Sequence, residues 1–211
     1  MSIADRVRYP EFLSRVMTAE EAAALIPHGV NVGMSGFTGA GYPKEIPGAL
    51  AANIKAAHER GEEFMIGLFT GASTAPELDG VLAEVDGVSF RTPYQSDPIM
   101  RRKINQGISE YADIHLSHLA PMIWAGSMGK LHTAVVEVTA IKEDGLLVPS
   151  SSIGNNKTFL DRAEQISRAM LASRAALRFC GLVRSRSPSV MSISSGMNSD
   201  FASKTRTTNW L

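Results

Sequence analysis

Gly33, Gly36, Gly39 and Gly41 cluster at the end of the apolar run Val30–Met34, with Pro43 and Lys44 directly behind them. A strand that ends in glycines and leads into a proline-started helix leaves backbone N–H groups beside the positive end of a helix dipole, which favours negative charge. Spacing excludes two phosphate loops. Gly36 and Gly41 have the separation of a Walker loop, but Tyr42-Pro43 displace Lys44 and no hydroxyl follows. A dinucleotide fingerprint needs a glycine three residues after Gly41, where Lys44 stands. General anion affinity remains, beside the alternative that these glycines only make a tight turn.

The stretch "LFTGASTAPELDG" repeats the pattern, with Gly71, Ala72 and Ser73 leading from a strand into a second proline-started helix. In an open parallel sheet, loops at the carboxyl ends of the strands converge on one crevice. Backbone amides and the Ser73 hydroxyl there would be parts of an oxyanion hole. They are not a nucleophile. Ser73 lies in no Gly-x-Ser-x-Gly elbow, which argues against a serine hydrolase. Of the five histidines only His115 and His118 are close, and on a strand they would face opposite ways. No HExxH occurs, so no metal site is expected. Glu137 is the acid inside the apolar strand "AVVEVTA", and the preferred reading is a strand residue paired locally, the other a site acid. "MRRKIN" reads as a solvated helix face, because no aromatics interleave it as in a nucleic-acid patch.

The elements that must position these loops alternate. Thr18 and Glu21 form a capping box for a short helix through Ile26. Val30–Met34 reads as a strand, and a helix from Pro43 carries Leu50, Ile54 and Ala57 before Gly61. Strand Phe64–Phe69, helix Pro76–Val85, strand Val88–Phe90 and a helix capped by Ser96 or Asp97 follow. Ala112–Leu116, Ala134–Ile141 and Leu146–Val148 read as further strands, before "SSSIGNNKTFLDRAEQ" makes a loop and a helix. The expectation is an α/β protein, a mostly parallel sheet with helices on both faces.

Composition sets the outer bounds. The chain has 211 residues, 44% hydrophobic and 20% charged, an ordinary globular mixture. No apolar run reaches the roughly 18 to 20 residues of a membrane helix, and "MSIADRVRYPEF" is no signal peptide. A single cysteine, Cys180, forms no intramolecular disulfide. A cytoplasmic protein with neither membrane nor nucleic-acid partners is the expectation. The net charge of zero hides an asymmetry: of the 21 basic and 21 acidic residues, seven and one lie after residue 165, leaving 14 and 20 before it. The last 46 residues also hold ten serines and no glutamate.

"SGFTGAGYPKEIP", "TGASTAPELDG", "FRTPYQSDPIMRRKIN", "DIHLSHLAPMIWAGSMGKL" and "VVEVTAIKEDGLLVPSSSIGNNKTFLDRAE" resemble, in order and nearly without gaps, the acetyl-CoA hydrolase/transferase family. The branch they resemble is that of the succinyl-CoA:acetate and propionyl-CoA:succinate CoA-transferases, over residues 8 to 165. The resemblance implies a CoA-transferase-like N-terminal half and ping-pong chemistry. A glutamate attacks the acyl-CoA, passes through an anhydride, and becomes a glutamyl-CoA thioester that a second carboxylate resolves. It implies coenzyme A as a substrate with no bound cofactor, a small carboxylate such as acetate or succinate as co-substrate, and homodimers among full-length relatives. On this reading Gly36, Phe37, Thr38, Gly39, Gly41, Gly71, Ala72 and Ser73 line the acyl group, so the glycine loop serves a carboxylate and not a phosphate. The family's nucleophilic glutamate lies in the C-terminal half. Glu137 is not that residue, and no catalytic residue is assigned in this chain.

The resemblance stops where the composition breaks. After "FLDRAEQ" the family continues into a Val/Ile-rich buried strand, whereas residues 166–211 form a basic Ser/Arg-rich segment like nothing in it. A shifted reading frame accounts for that jump. The alternative is a genuine tail in which Ile166, Met170 and Leu177, at helical spacing, make an interaction helix. Three functions follow from the sequence: a CoA-transferase fragment inactive alone, a glutamate-lacking subunit of a two-chain enzyme, or a non-catalytic acyl-binding module.

Overall fold

The computed structural model describes residues 3–13, 15–170 and 179–184. Two single-turn helices, α1 (Ile3–Arg6) and α2 (Pro10–Leu13), and a two-residue strand β1 (Val16–Met17) come first. The capping box then forms as the sequence predicts. Thr18 Oγ1 accepts from the Glu21 amide at 3.2 Å and the Glu21 carboxylate accepts from Thr18 N at 2.8 Å, opening α3 (Ala19–Ala23).

From here strands and helices alternate. Strand β2 (Asn31–Met34) and the short β3 (Phe37–Thr38) lead to α4 (Glu45–Glu59), followed by β4 (Ile66–Phe69) and the short β5 (Ala72–Ser73). Pro76–Gly80 is a single wide π-type turn running into α5 (Val81–Glu84), where the sequence suggested one continuous α-helix. Strand β6 (Val88–Thr92) and helix α6 (Pro98–Asn105) come next, and the Asp97 carboxylate caps α6 by accepting from the amides of Ile99 and Met100.

Between Asn105 and Gly126 the sequence reading needs correction. Only Glu110–Tyr111 (β7) is a strand, and Leu116–Ala125 is a helix, α7, ended by Gly126 in the left-handed conformation. Leu116, Leu119 and Ile123 recur at helical spacing, and Leu119 and Ile123 are buried by it. His115 and His118 therefore flank one helix start with ring centroids 5.5 Å apart, instead of facing opposite ways on a strand. Strands β8 (Thr133–Ile141) and β9 (Leu147–Pro149), helix α8 (Asn156–Arg162), and strands β10 (Gln165–Met170) and β11 (Phe179–Arg184) complete the described elements.

The main sheet has the order β1-β11-β10-β8-β2-β4-β6-β7, with β9 added antiparallel to β8. Every neighbouring pair from β10 to β7 is parallel. Among the described residues, the antiparallel pairs of this sheet are β1·β11, β10·β11 and β8·β9. Alternate strand residues serve opposite faces, as a pleated sheet requires. Val32, Met34, Ile66, Leu68 and Val135 meet Ile46, Leu50 and Ile54 of α4, Leu82 of α5 and Met100 of α6. On the other face Phe69 and Ala134 meet Leu119 and Ile123 of α7 and Phe159 of α8. A Cβ on Gly33 would stand 2.7 Å from the Phe159 ring, so the missing side chain lets α8 lie directly on β2. The α/β class with helices on both faces is as the sequence indicates.

Residue 166, where composition changes, falls inside β10. Over 165–170 the backbone is extended and parallel to β8, not helical, so the interaction-helix alternative does not hold there. Leu177, Ser14 and residues 185–211 lie outside the described residues.

Candidate functional site

The sheet reverses its winding between β2 and β8. From β2 the chain adds β4, β6 and β7 to one side, and β8 then returns to β2's other edge. After β2 the chain crosses to α4 on one face, and after β8 and β9 it crosses to α8 on the other. Two connections that leave neighbouring strand ends in opposite directions open a crevice between them, which is where open α/β sheets bind ligands. The segments over this crevice are residues 35–44, 70–75 and 150–156.

Backbone pairing and small residues hold the three segments together. Phe37 N donates to Ala40 O at 2.8 Å and Ala40 N to Phe37 O at 3.0 Å, closing a tight turn through Thr38 and Gly39, with Thr38 at φ 47°. That turn pairs with the second loop in a short parallel ladder, Phe37 opposite Ala72 and Thr38 opposite Ser73. The third segment fastens both. Ser35 Oγ accepts from the Asn155 backbone amide at 2.9 Å, Asn155 Nδ2 donates to Thr70 O at 3.2 Å, and Ser152 Oγ donates to Ala40 O at 2.7 Å. A Cβ on Gly36 would come within 2.6 Å of Tyr42 N, and one on Gly71 within 2.7 Å of Ser35 Oγ. Gly41, at φ 73°, leaves room only for Ser152.

The predicted site residues thus meet in one place. Gly36, Gly41 and Gly71 are buried in the joint, Ala72 is half-buried, and Phe37, Thr38 and Gly39 form its exposed tip, with Phe37 58% exposed. Ser73 contributes its backbone to the ladder. The loop is not the first turn of the following helix, however. Helix α4 starts at Glu45, two residues later than Pro43 suggested, and Lys44 in the cap position offers no side-chain cap. The amides of Phe37 and Ala40 are also spent on each other, which removes them from any anion.

Lys44 finds a partner the sequence did not suggest. Its Nζ donates to Glu137 Oε2 at 2.9 Å and to Tyr42 O at 3.1 Å, and stands 4.3 Å from the centroid of the Tyr42 ring. Glu137 is 3% exposed, so it is a buried acid whose cation comes from the glycine loop 93 residues away, not from a local neighbour. Burial, and after it a hydrogen bond to Glu77, pushes the Tyr42 hydroxyl well above the usual tyrosine range. Nearby on β6, Arg91 is wholly buried and consumed by Asp79 at 2.7 Å and by Thr92 O at 2.7 Å. Burial raises the Asp79 carboxyl, with Arg91 opposing it.

Sequence reasoning missed Ser35, Lys44, Ser152, Gly154 and Asn155. Gly154, at φ 53°, packs against Gly36 O and Ser35 Oγ. The string "SSSIGNN" carries the signal, since small and amide-bearing residues just after a strand are what a close backbone junction uses. Among the described residues no three of His, Cys, Asp and Glu converge as metal ligands, and no helix is long and apolar enough to cross a membrane. In chemical terms the crevice is bordered by small residues and holds one tethered ammonium, that of Lys44.

Comparison with known proteins bears on the family and the fold. The model of the acetyl-CoA hydrolase/transferase N-terminal domain matches residues 1–171. The chain is 42% identical over 161 residues to the succinyl-CoA:acetate CoA-transferase of Clostridium kluyveri, covering 76% of this chain and 29% of that protein. It is 44% identical over 150 residues to the propanoyl-CoA:succinate CoA transferase of Escherichia coli K12, covering 71% and 30%. Among solved structures it shares the fold of RipA from Yersinia pestis, with TM-score 0.54 at 20% identity over 79% of this chain and 37% of that one. The chain spans about 30% of the length of those two transferases. On its sequence match and its fold, the chain belongs to the acetyl-CoA hydrolase/transferase family, whose N-terminal domain it carries.

Proposed function

We propose that this chain supplies the acyl and carboxylate side of a CoA-transferase site and not its nucleophile. The complete reaction moves CoA between an acyl-CoA and a small carboxylate, acetate or succinate, through a glutamyl-CoA intermediate on a C-terminal half. The observation that carries this reading is the meeting of residues 36–41 and 71–73, braced by Ser152–Asn155, at the one place where the sheet reverses its winding. Small residues there keep side chains out of a space beside the Lys44 ammonium, and a positive charge can stabilise an oxyanion that another group creates. Gly36, Phe37, Thr38, Gly39, Gly41, Gly71, Ala72 and Ser73 line that space. Without a covalent acceptor the chain alone does not turn over, because donors aimed at a transition state act only on a reaction already begun.

The test is an assay of CoA transfer and acyl-CoA hydrolysis. The 211-residue chain alone is expected to show neither above background. A fusion of residues 1–164 to the C-terminal portion of the Escherichia coli transferase is expected to transfer CoA, with the thioester trapped on the added portion. Turnover or a trapped thioester on the chain itself would overturn the reading.

A further inference from the structure

The Lys44–Glu137 pair joins the glycine loop to β8, just past the end of the β2–β8 ladder. The β2–β8 ladder ends at Met34 opposite Val135. Glu137 is the next residue on the same face of β8, in the first position where β2 no longer covers it. The glycine loop fills that position and brings Lys44 over it. A carboxylate buried on a strand is costly unless paired, and an apolar side chain of similar volume would be at least as stable there. Glu137 is therefore an expensive way merely to fasten a loop that Ser35, Ser152 and Asn155 already fasten.

An ammonium has three N–H donors, and Lys44 spends one on Glu137 and one on the Tyr42 carbonyl. The Tyr42 ring beneath the ammonium and the buried Glu137 fix its direction, while the Lys44 side chain remains 27% exposed. Arg91, a second cation on these strands, is wholly buried against Asp79. We propose that Lys44 binds the carboxylate of the small substrate through its remaining donor, with Glu137 as the tether that aims it. This inference rests on the crevice being a carboxylate site, as proposed above.

The two members of the pair have opposite signatures, which a purely structural strut would not. Removing Lys44 takes away the ligand's counter-charge, whereas Glu137→Gln keeps a side-chain oxygen that accepts from the ammonium, and so still aims it, while removing the competing negative charge. The experiment titrates sodium propionate into the full chain at constant ionic strength, following the amide resonances of Gly39 and Gly41, with propionamide as the neutral control. Wild type is expected to show saturable shifts with propionate only. Lys44→Met should weaken binding about 10- to 100-fold, the range for one hydrogen bond between charged groups. Lys44→Arg should keep most of it, and Glu137→Gln should bind as tightly as wild type or more so. Equal losses in Lys44→Met and Glu137→Gln, or undiminished binding by Lys44→Met, would overturn the inference and leave the site reading intact. If wild type itself shows no saturable shift, the carboxylate site falls, and this inference with it. Should Lys44→Met fail to fold, the Lys44→Arg and Glu137→Gln pair still decides, since a loss of binding in Glu137→Gln alone contradicts the assignment.

Discussion

Ser35 Oγ receives the backbone N–H of Asn155 at 2.9 Å, joining the end of β2 to the loop that enters α8. Ser35 is wholly buried, so no water replaces that acceptor if it is lost. Ser35→Ala should therefore cost about 1–3 kcal/mol, the penalty for stranding a buried donor. In a chain of this size that is a drop of about 2–4 °C in Tm for each kcal/mol. A thermal midpoint within error of wild type would show that the bond contributes nothing.

The two central glycines of the first loop should respond differently to the same change. A Cβ at Gly36 meets backbone atoms, Tyr42 N at 2.6 Å and Gly41 C at 2.7 Å, which cannot step aside as a side chain could. At Gly39 a Cβ meets nothing within 4 Å. Gly36→Ala should destabilise by about 1–3 kcal/mol or more, and Gly39→Ala should stay within about 0.5 kcal/mol of wild type. Urea midpoints of the two variants, compared side by side, provide the check. Equal midpoints would contradict the packing described for Gly36.

Tyr42 gives the fold an alkaline limit. Its hydroxyl is raised by burial and by Glu77, so the folded chain holds that proton more tightly than the unfolded chain does. A raised folded value contributes stability in full below the ordinary tyrosine pKa of about 10. That contribution is lost as pH climbs from there through the folded value. Tyr42→Phe should flatten the fall in urea midpoint between about pH 9 and pH 11. Parallel pH profiles for variant and wild type would assign the alkaline loss to other groups.

The break in composition at residue 166 makes an expectation about the coding DNA. Read in one of the other two frames from codon 166, it should encode a Val/Ile-rich strand for the slot beside β8, followed by the family's C-terminal half. Gln165–Met170 holds that slot in the present chain. Sequencing the locus decides, and stop codons soon after codon 166 in both other frames would dispose of the idea.

Much of this molecule was legible because local chemistry and tertiary need agree. The Thr18–Glu21 cap, the Asp97 cap of α6 and the apolar strands around Val32, Leu68 and Val135 form where their residue types put them. The errors arose where one pattern has two meanings. The residue types of Ala112–Leu116 suit a strand, yet Leu116, Leu119 and Ile123 make a helix from Leu116 on, one that keeps Pro121 inside it. The loops were found because glycine and small residues announce close backbone approach. Their fastener, Asn155, lies in a string that marks a close junction, but its partner Ser35, 120 residues earlier, is set by the fold. Glu137 stands out as an acid on an apolar strand, but its partner is not legible beside it, because pairing across 93 residues belongs to topology and not to sequence neighbourhood.

The winding of the sheet also sets an order of assembly in time. Val32 pairs with Thr133, so β2 waits about a hundred residues for its second neighbour. At a synthesis rate of about 5–20 residues per second, that delay is about 5 to 20 s. Through that interval β4 can protect one edge of β2 while the other offers unpaired N–H and C=O groups to any passing strand. That open edge is the one at which the crevice later forms. For a nascent chain, the place that gives this fold its candidate chemistry is also a point exposed to misassociation.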